Sequence, residues 1–252
     1  MGSPSFAVYP LAVPAAGGKA IQVSLKNLTH DLDAMAVAVT ERTKIIFIAN
    51  PNNPTGTIVT KKQLDKFCER LPSDVVLVLD EAYYEFVTDS EFPSSLDYLK
   101  KGANVVILRT FSKIYGLAGL RIGYGIASEA LNRYMNKVRQ PFNVNSLAQI
   151  AAMAALDDEE HLKKSQKNNI DGLDFLFNEV KAMGFECVQT QANFFLMKVG
   201  KGKEIYDALL RQGVIVRPMG SYGLDEYIRV TVGLPEENKR FVETLKKIGD
   251  RK

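Results

Sequence analysis

The chain has 252 residues, of which 46% are apolar and 24% charged, the balance of a soluble globular protein with a core of ordinary size. Its net charge of +3 is spread over scattered lysine pairs (Lys61-Lys62, Lys100-Lys101, Lys163-Lys164, Lys246-Lys247), which excludes the basic stripe of a nucleic-acid binder. Two cysteines in unrelated contexts, Cys68 and Cys187, and two histidines, His30 and His161, exclude a disulfide framework and a Cys/His metal centre and fit a reducing, cytoplasmic setting.

In chain order, "MGSPSF" lacks the basic-then-apolar pattern of a secretory signal. No apolar run approaches the roughly 20 residues of a membrane span. The runs "KIIFIA" (44–49), "VVLVLD" (75–80), "NVVILR" (104–109) and "IGYGIA" (122–127) are nearly continuous in apolar character, which predicts strands of a parallel sheet buried on both faces. Between the first two, "TKKQLDKFCERL" (60–71) places Leu64, Phe67, Cys68 and Leu71 at helical spacing, with Thr60 able to cap its start. The strand–helix–strand rhythm predicts an α/β unit with right-handed crossovers.

From about Asn145 the texture changes. Residues 146–184 are almost all helix-forming, divided near Asp157, and connect to short strands at 194–199, 214–218 and 227–232 with helices at 203–212 and 236–248. The expected division is a large domain over 1–155 and a small α+β domain over 156–252.

Open α/β sheets bind ligands beyond the carboxyl ends of their strands. After "KIIFIA" comes "NPNNPTG" (50–56), a Pro- and Gly-shaped loop in which Asn53 offers an amide. After "VVLVL" comes "DEAYYEF" (80–86), with Asp80 at the strand's end, and after "NVVILR" comes "TFSK" with Lys113. Taken singly, these read as a turn, a loop acid and a solvated lysine. Together they deliver an amide, a carboxylate and an amine to one edge. A lysine amine condenses with an aldehyde, and an acid keeps a pyridine nitrogen protonated, which are the demands of pyridoxal 5'-phosphate (PLP). Asn53 and Tyr83 suit the ring's phenolic oxygen. Ser112 and Arg121 suit its phosphate, Arg121 through a forked, charged donor. Rival cofactors lack their motifs: no G-x-G-x-x-G follows a strand, and "GGKA" (17–20) is not a phosphate-binding P-loop.

The series "NPNNPTG", "DEAYYEF", "RTFSKIYGLAGLRIGY" and "YIRVTVG", in that order, resembles the fold-type I, PLP-dependent aminotransferases, and most closely the histidinol-phosphate aminotransferase family. The resemblance runs from "PSFAVY" to the C-terminal helix. It implies an aspartate aminotransferase-like α/β fold, a PLP-dependent transferase with a mostly parallel sheet in its large domain. It implies Lys113 as the covalent anchor and proton carrier, Asp80 at the pyridine nitrogen, Asn53 and Tyr83 at the ring oxygen, and Ser112 and Arg121 at the phosphate. Phe6 of "PSFAVY" matches an aromatic that stacks on the ring, a core role being its alternative. Arg229 matches the arginine that holds the substrate carboxylate or equivalent polar end, and Arg217 one that helps hold a substrate phosphate. The implied reaction converts histidinol phosphate and 2-oxoglutarate to imidazole-acetol phosphate and glutamate, in a homodimer to which "RQPFNVNS" (139–146) contributes. Aromatic aminotransferases and a threonine-phosphate decarboxylase share most of these motifs.

Two departures from the family stand out. Ile114 follows the lysine where a small residue is usual, and is expected to crowd that turn. Family members also carry, ahead of "PSFAVY", a Gly-rich phosphate-binding turn, further strands and a tyrosine-bearing arm. The chain therefore reads as amino-terminally shortened, with an inactive fragment as the rival reading.

Overall fold

The computed structural model describes residues 1–249. In chain order the elements are β1 (Gly2–Ser3), α1 (Tyr9–Ala15), β2 (Val23–Ser24), α2 (Leu32–Val37), β3 (Ile45–Ala49), α3 (Lys61–Cys68), β4 (Val76–Asp80), α4 (Ser95–Lys100), β5 (Val105–Thr110), β6 (Gly123–Ala127) and α5 (Glu129–Val138). They continue as α6 (Ser146–Asp157), α7 (Glu159–Ala182), β7 (Glu186–Cys187), β8 (Phe194–Lys198), α8 (Gly202–Arg211), β9 (Arg217–Pro218), β10 (Tyr227–Thr231) and α9 (Pro235–Gly249).

The first main sheet has the order β3-β4-β5-β6. β3, β4 and β5 are parallel, with Ala49 opposite Asp80 and Asp80 opposite Leu108, so β3 and β4 finish level and β5 runs on to Thr110. Ile46, Ile48, Leu77, Leu79, Val105 and Ile107 face one core, where they meet α3 through Leu64 and Phe67. Each of those large side chains contributes about 1.5–3 kcal/mol by leaving water. Helix α3 starts as the sequence dictates: Thr60 Oγ1 accepts from Gln63 N–H at 3.3 Å, and Gln63 Oε1 accepts from Thr60 N–H at 2.8 Å. This reciprocal pair satisfies donors that a helix start leaves open.

β6 departs from expectation. It pairs antiparallel with β5, Thr110 opposite Gly123 and Arg109 opposite Tyr124, and forms a partly exposed edge. Residues 111–122 are spent on the lysine-bearing loop, with no crossover helix to return the chain in the parallel sense. Gly123 permits the pairing, since a Cβ there would lie 2.8 Å from Arg109 O. The expected strand at 214–218 shortens to the two residues that reach β10.

The second main sheet, β7-β8-β10-β9, is antiparallel. Its core joins Phe195, Met197, Ile228 and Val230 to Leu176 and Val180 of α7, Leu209 of α8 and Phe241 of α9. A third cluster, Tyr83, Phe86, Ile114, Ala192 and Phe194, lies where the two sheets meet. Ile114 is thus a buried member of the joint. Polar contacts reinforce this joint. Gln191 N–H donates to Gly56 O at 2.8 Å, and Gln191 Oε1 accepts Thr88 N–H at 2.8 Å and Asp89 N–H at 3.2 Å. Gly56 has φ +76°, and a Cβ there would lie 2.1 Å from Thr190 Oγ1, so only glycine lets the "NPNNPTG" loop and the second sheet approach this closely.

Candidate active site

The adjacent carboxyl ends of β3, β4 and β5 place the three expected loops side by side. In "NPNNPTG" the asparagines divide their work. Asn50 imitates a strand partner, its Oδ1 accepting from Val59 N–H at 2.9 Å and its Nδ2 donating to Val59 O at 3.2 Å. Buried Asn52 accepts the Ser5 hydroxyl at 2.8 Å and donates to Pro4 O at 3.2 Å, tying "PSF" to the loop. Asn53 turns toward the second sheet, where its Oδ1 accepts from Arg229 Nη1 at 2.6 Å.

Arg229 sits in a strand whose neighbours Ile228 and Val230 point into the second core, so alternation sends its guanidinium to the other face. There it lies 4.5 Å from the Phe194 ring centroid, and its buried Nε has no hydrogen-bond partner among the described residues. Burial pushes the guanidinium pKa below its ordinary value, and Arg217, its register partner, adds like charge. The group stays cationic and calls for an anion. Arg217 is exposed, 5.5 Å from the Tyr222 ring centroid. It lines a cleft of about 350 Å³ with Ser5, Phe6, Tyr9 and Tyr222. Phe6 is exposed and meets Tyr9 edge-on at 5.5 Å, so it is available to a ligand and is not core.

Asp80 ends β4 half-buried. Its Oδ1 accepts Ala82 N–H at 3.1 Å and its Oδ2 accepts the Tyr9 hydroxyl at 2.5 Å. Burial pushes its pKa up, while the Tyr9 and Ala82 bonds and the Lys113 cation pull the other way. Tyr9 lies 71 positions from Asp80, is buried, and stacks on Phe47 at 4.9 Å. Sequence reasoning missed it, although an aromatic pair at i and i+3 in "PSFAVY" marks the segment. It also missed Glu81, only 1% exposed, whose Oε2 receives Arg109 Nε and Nη2 at 2.8 Å each and so clamps β4 to β5 beneath the site.

Lys113 is exposed, and among the described residues its amine has no hydrogen bond or ion pair. The amine lies 5.1 Å from the centroid of the buried Tyr83 ring, which packs edge-on against Phe194. Arg121 takes a left-handed backbone conformation at φ 55°, which turns Nη1 back to Ala118 O at 2.7 Å and to Ser112 Oγ at 3.4 Å. Ser112, Lys113 and Arg121 therefore share one loop.

Among the described residues, the ends of the parallel strands thus bring together the Lys113 amine and the half-buried Asp80 carboxylate, and Arg229 reaches the Asn53 loop from the second sheet, in a protein of the α/β class. The chain belongs to the aminotransferase class I and II family, whose sequence profile matches residues 1–245. It is 49% identical over 247 residues to histidinol-phosphate aminotransferase of Moorella thermoacetica, covering 97% of this chain and 64% of that one. It is 50% identical over 244 residues to histidinol-phosphate aminotransferase 1 of Nitrosococcus oceani, covering 96% and 66%. The chain thus spans about two thirds of the length of these relatives. The crystal structure of histidinol-phosphate aminotransferase from Sinorhizobium meliloti in complex with pyridoxal-5'-phosphate superposes with a TM-score of 0.89 at 28% identity, over 98% of this chain and 70% of that one. A Thermus thermophilus aspartate aminotransferase, at 23% identity and a TM-score of 0.85 over 99% of this chain and 72% of that one, places the fold as aspartate aminotransferase-like.

Proposed function

We propose that this chain carries out PLP-dependent transamination, with histidinol phosphate as amino donor and 2-oxoglutarate as acceptor, giving imidazole-acetol phosphate and glutamate. The observation that carries this reading is the meeting of Lys113, Asp80 and Arg121 at one sheet edge. When bound, the cofactor supplies an electron sink for the carbanion left by loss of the α-proton. The donor set fits it. Lys113 offers an amine free to bond covalently and then to carry a proton between carbon atoms. Asp80 is an acceptor for a pyridinium N–H. With Asn53 Oδ1 engaged by Arg229, the asparagine's Nδ2 remains a donor for the ring oxygen, beside the Tyr83 hydroxyl. Ser112 and Arg121 take the phosphate, and Phe6 stacks on the ring.

Arg229 holds the substrate's carboxylate or equivalent polar end, and Arg217, from the cleft wall, its phosphate. Two register-paired arginines suit a substrate bearing an anion remote from its amine. The same pair suits threonine phosphate, and L-threonine-O-3-phosphate decarboxylase from Porphyromonas gingivalis superposes with a TM-score of 0.80 at 27% identity over 99% of this chain and 76% of that one. An aromatic amino donor is the remaining rival. The setting is cytoplasmic, the large and small domains divide near residue 155, and two copies associate with 139–146 contributing to the contact.

The test is the visible spectrum of the purified chain with added PLP. A yellow band that is absent in Lys113→Ala supports the reading, and colourless protein overturns it. Bleaching by histidinol phosphate, and not by phenylalanine or threonine phosphate, fixes the donor.

A further inference from the structure

The loop that presents Lys113 is held by few bonds of its own. Phe111 N–H donates to Ile122 O at 3.2 Å, Leu117 N–H to Phe111 O at 2.9 Å, and Gly116 N–H to Lys113 O at 3.0 Å. Residues 113–116 thus form a single four-residue turn whose middle peptide joins Ile114 to Tyr115. The direction of that peptide defines the turn and, through it, where the Lys113 side chain leaves the backbone. Its carbonyl, Ile114 O, is claimed by His161 Nε2 at 2.9 Å, 47 residues away in sequence.

A carbonyl oxygen only accepts, so the imidazole carries hydrogen on Nε2. That condition is met by one neutral tautomer and by the imidazolium alike. His161 is fixed in turn at the first turn of α7, where its N–H donates to Asp158 Oδ1 at 2.9 Å. The next residue, Leu162, packs on the cluster that buries the Ile114 side chain. Successive α7 residues therefore grip both the backbone and the side chain of the residue following Lys113.

The same helix continues to other parts of the site. Gln166 Nε2 donates to Glu85 O at 2.7 Å, just past Asp80 and Tyr83. Asn169 Nδ2 reaches Ala192 O at 3.4 Å, and Leu176 and Val180 are wholly buried in the core beneath the Arg229 strand.

We propose that His161 is a positioning residue for Lys113: it fixes the peptide between Ile114 and Tyr115, and α7 ties that placement to the unit that carries Arg229. The proposal rests on the reading of Lys113 as the PLP-bearing amine.

Two measurements on the full chain test it in His161→Ala, His161→Gln and the control Ser165→Ala, whose hydroxyl lies 3.4 Å from His161 Nε2. The first is backbone hydrogen exchange over 111–117 without cofactor. The second is the rate at which added PLP labels Lys113, trapped with borohydride and located by peptide mass. His161→Ala is expected to speed exchange in the loop by about tenfold, leaving β5 unchanged, and to slow labelling by about tenfold. His161→Gln, which keeps a donor at similar reach, restores both, and Ser165→Ala changes neither. Loop exchange in His161→Ala equal to wild type overturns the proposal, as does a folded His161→Gln that restores nothing. If wild type is not labelled while exchange still follows His161, the restraint stands and the cofactor reading falls.

Discussion

At Asp80 a carboxylate leaves the end of a buried strand with its oxygens already divided between Ala82 N–H and the Tyr9 hydroxyl. The neighbouring Glu81 spends its charge on Arg109, whose guanidinium also lies 3.8 Å from the Tyr84 ring centroid. One carboxylate is thus placed for chemistry and the next for holding two strands together. The Tyr9 bond favours the charged form of Asp80, opposing the burial that raises its pKa. A hydrogen bond to a charged group contributes about 1.5–3 kcal/mol. Tyr9→Phe, which removes one of the bonds that lowers it, is therefore expected to raise the Asp80 pKa further. The sign follows directly: protonation of Asp80 reaches higher pH, so the acid limb of PLP binding moves up and affinity falls about tenfold where Asp80 has become neutral. A titration of PLP affinity against pH reads both effects. An unmoved acid limb would show that Asp80 keeps its charge without Tyr9.

Among the elements, β3, β4 and β5 and the loops after them were legible because the sequence shows nearly continuous apolar runs, each followed by polar and turn-forming residues. The direction of β6 was not, since "IGYGIA" has the same composition in either sense and only the length spent on the preceding loop decides. Tyr9 and His161 escaped for a related reason: their partners lie 71 and 47 positions away, and nothing in the local sequence points to those partners. His30 is a third such case. It is buried against Gly2 of β1, where a Cβ would lie 2.1 Å from its Nδ1, and its Nε2 donates to Ala49 O at 3.0 Å, the last residue of β3. Burial pushes its pKa down to about 4, against about 6.5 in an unfolded chain. Between these values the unfolded chain binds a proton that the folded chain refuses, so stability is lost as pH falls through the window, by about 3 kcal/mol at its lower end. Asp80, Glu81 and Glu85, raised by burial, act in the opposite sense near the bottom of the window. Comparison with His30→Gln cancels their contribution. The stability of wild type relative to this variant, from urea unfolding, is expected to fall by about 3 kcal/mol between pH 6.5 and 4. A constant difference would show that His30 is not held neutral.

For the whole molecule the informative feature is an apolar face that neither core covers. Helix α6 buries only Ala148 and Ala152, leaving Ile150 66% and Met153 70% exposed beside Leu147 and Leu156. Val138 at the end of α5 and Phe142 in the connecting loop continue it, Phe142 being fully exposed with φ 57°. A bulky residue held in the left-handed region with its ring in water gains nothing within one chain. The expected occupant is a second copy. Pairing about a twofold axis sets the same patch against itself, so each substitution acts twice per interface. Ile150→Glu with Met153→Glu would set carboxylates against apolar surface while touching no buried side chain of α6. A loss of about 3 kcal/mol is expected, or more than about a hundredfold in the dissociation constant. Sedimentation velocity is expected to show a wild-type dimer and a monomeric variant of unchanged helical circular dichroism. A wild-type monomer at the same concentration would assign the face to another polypeptide and remove the second copy from the proposed function.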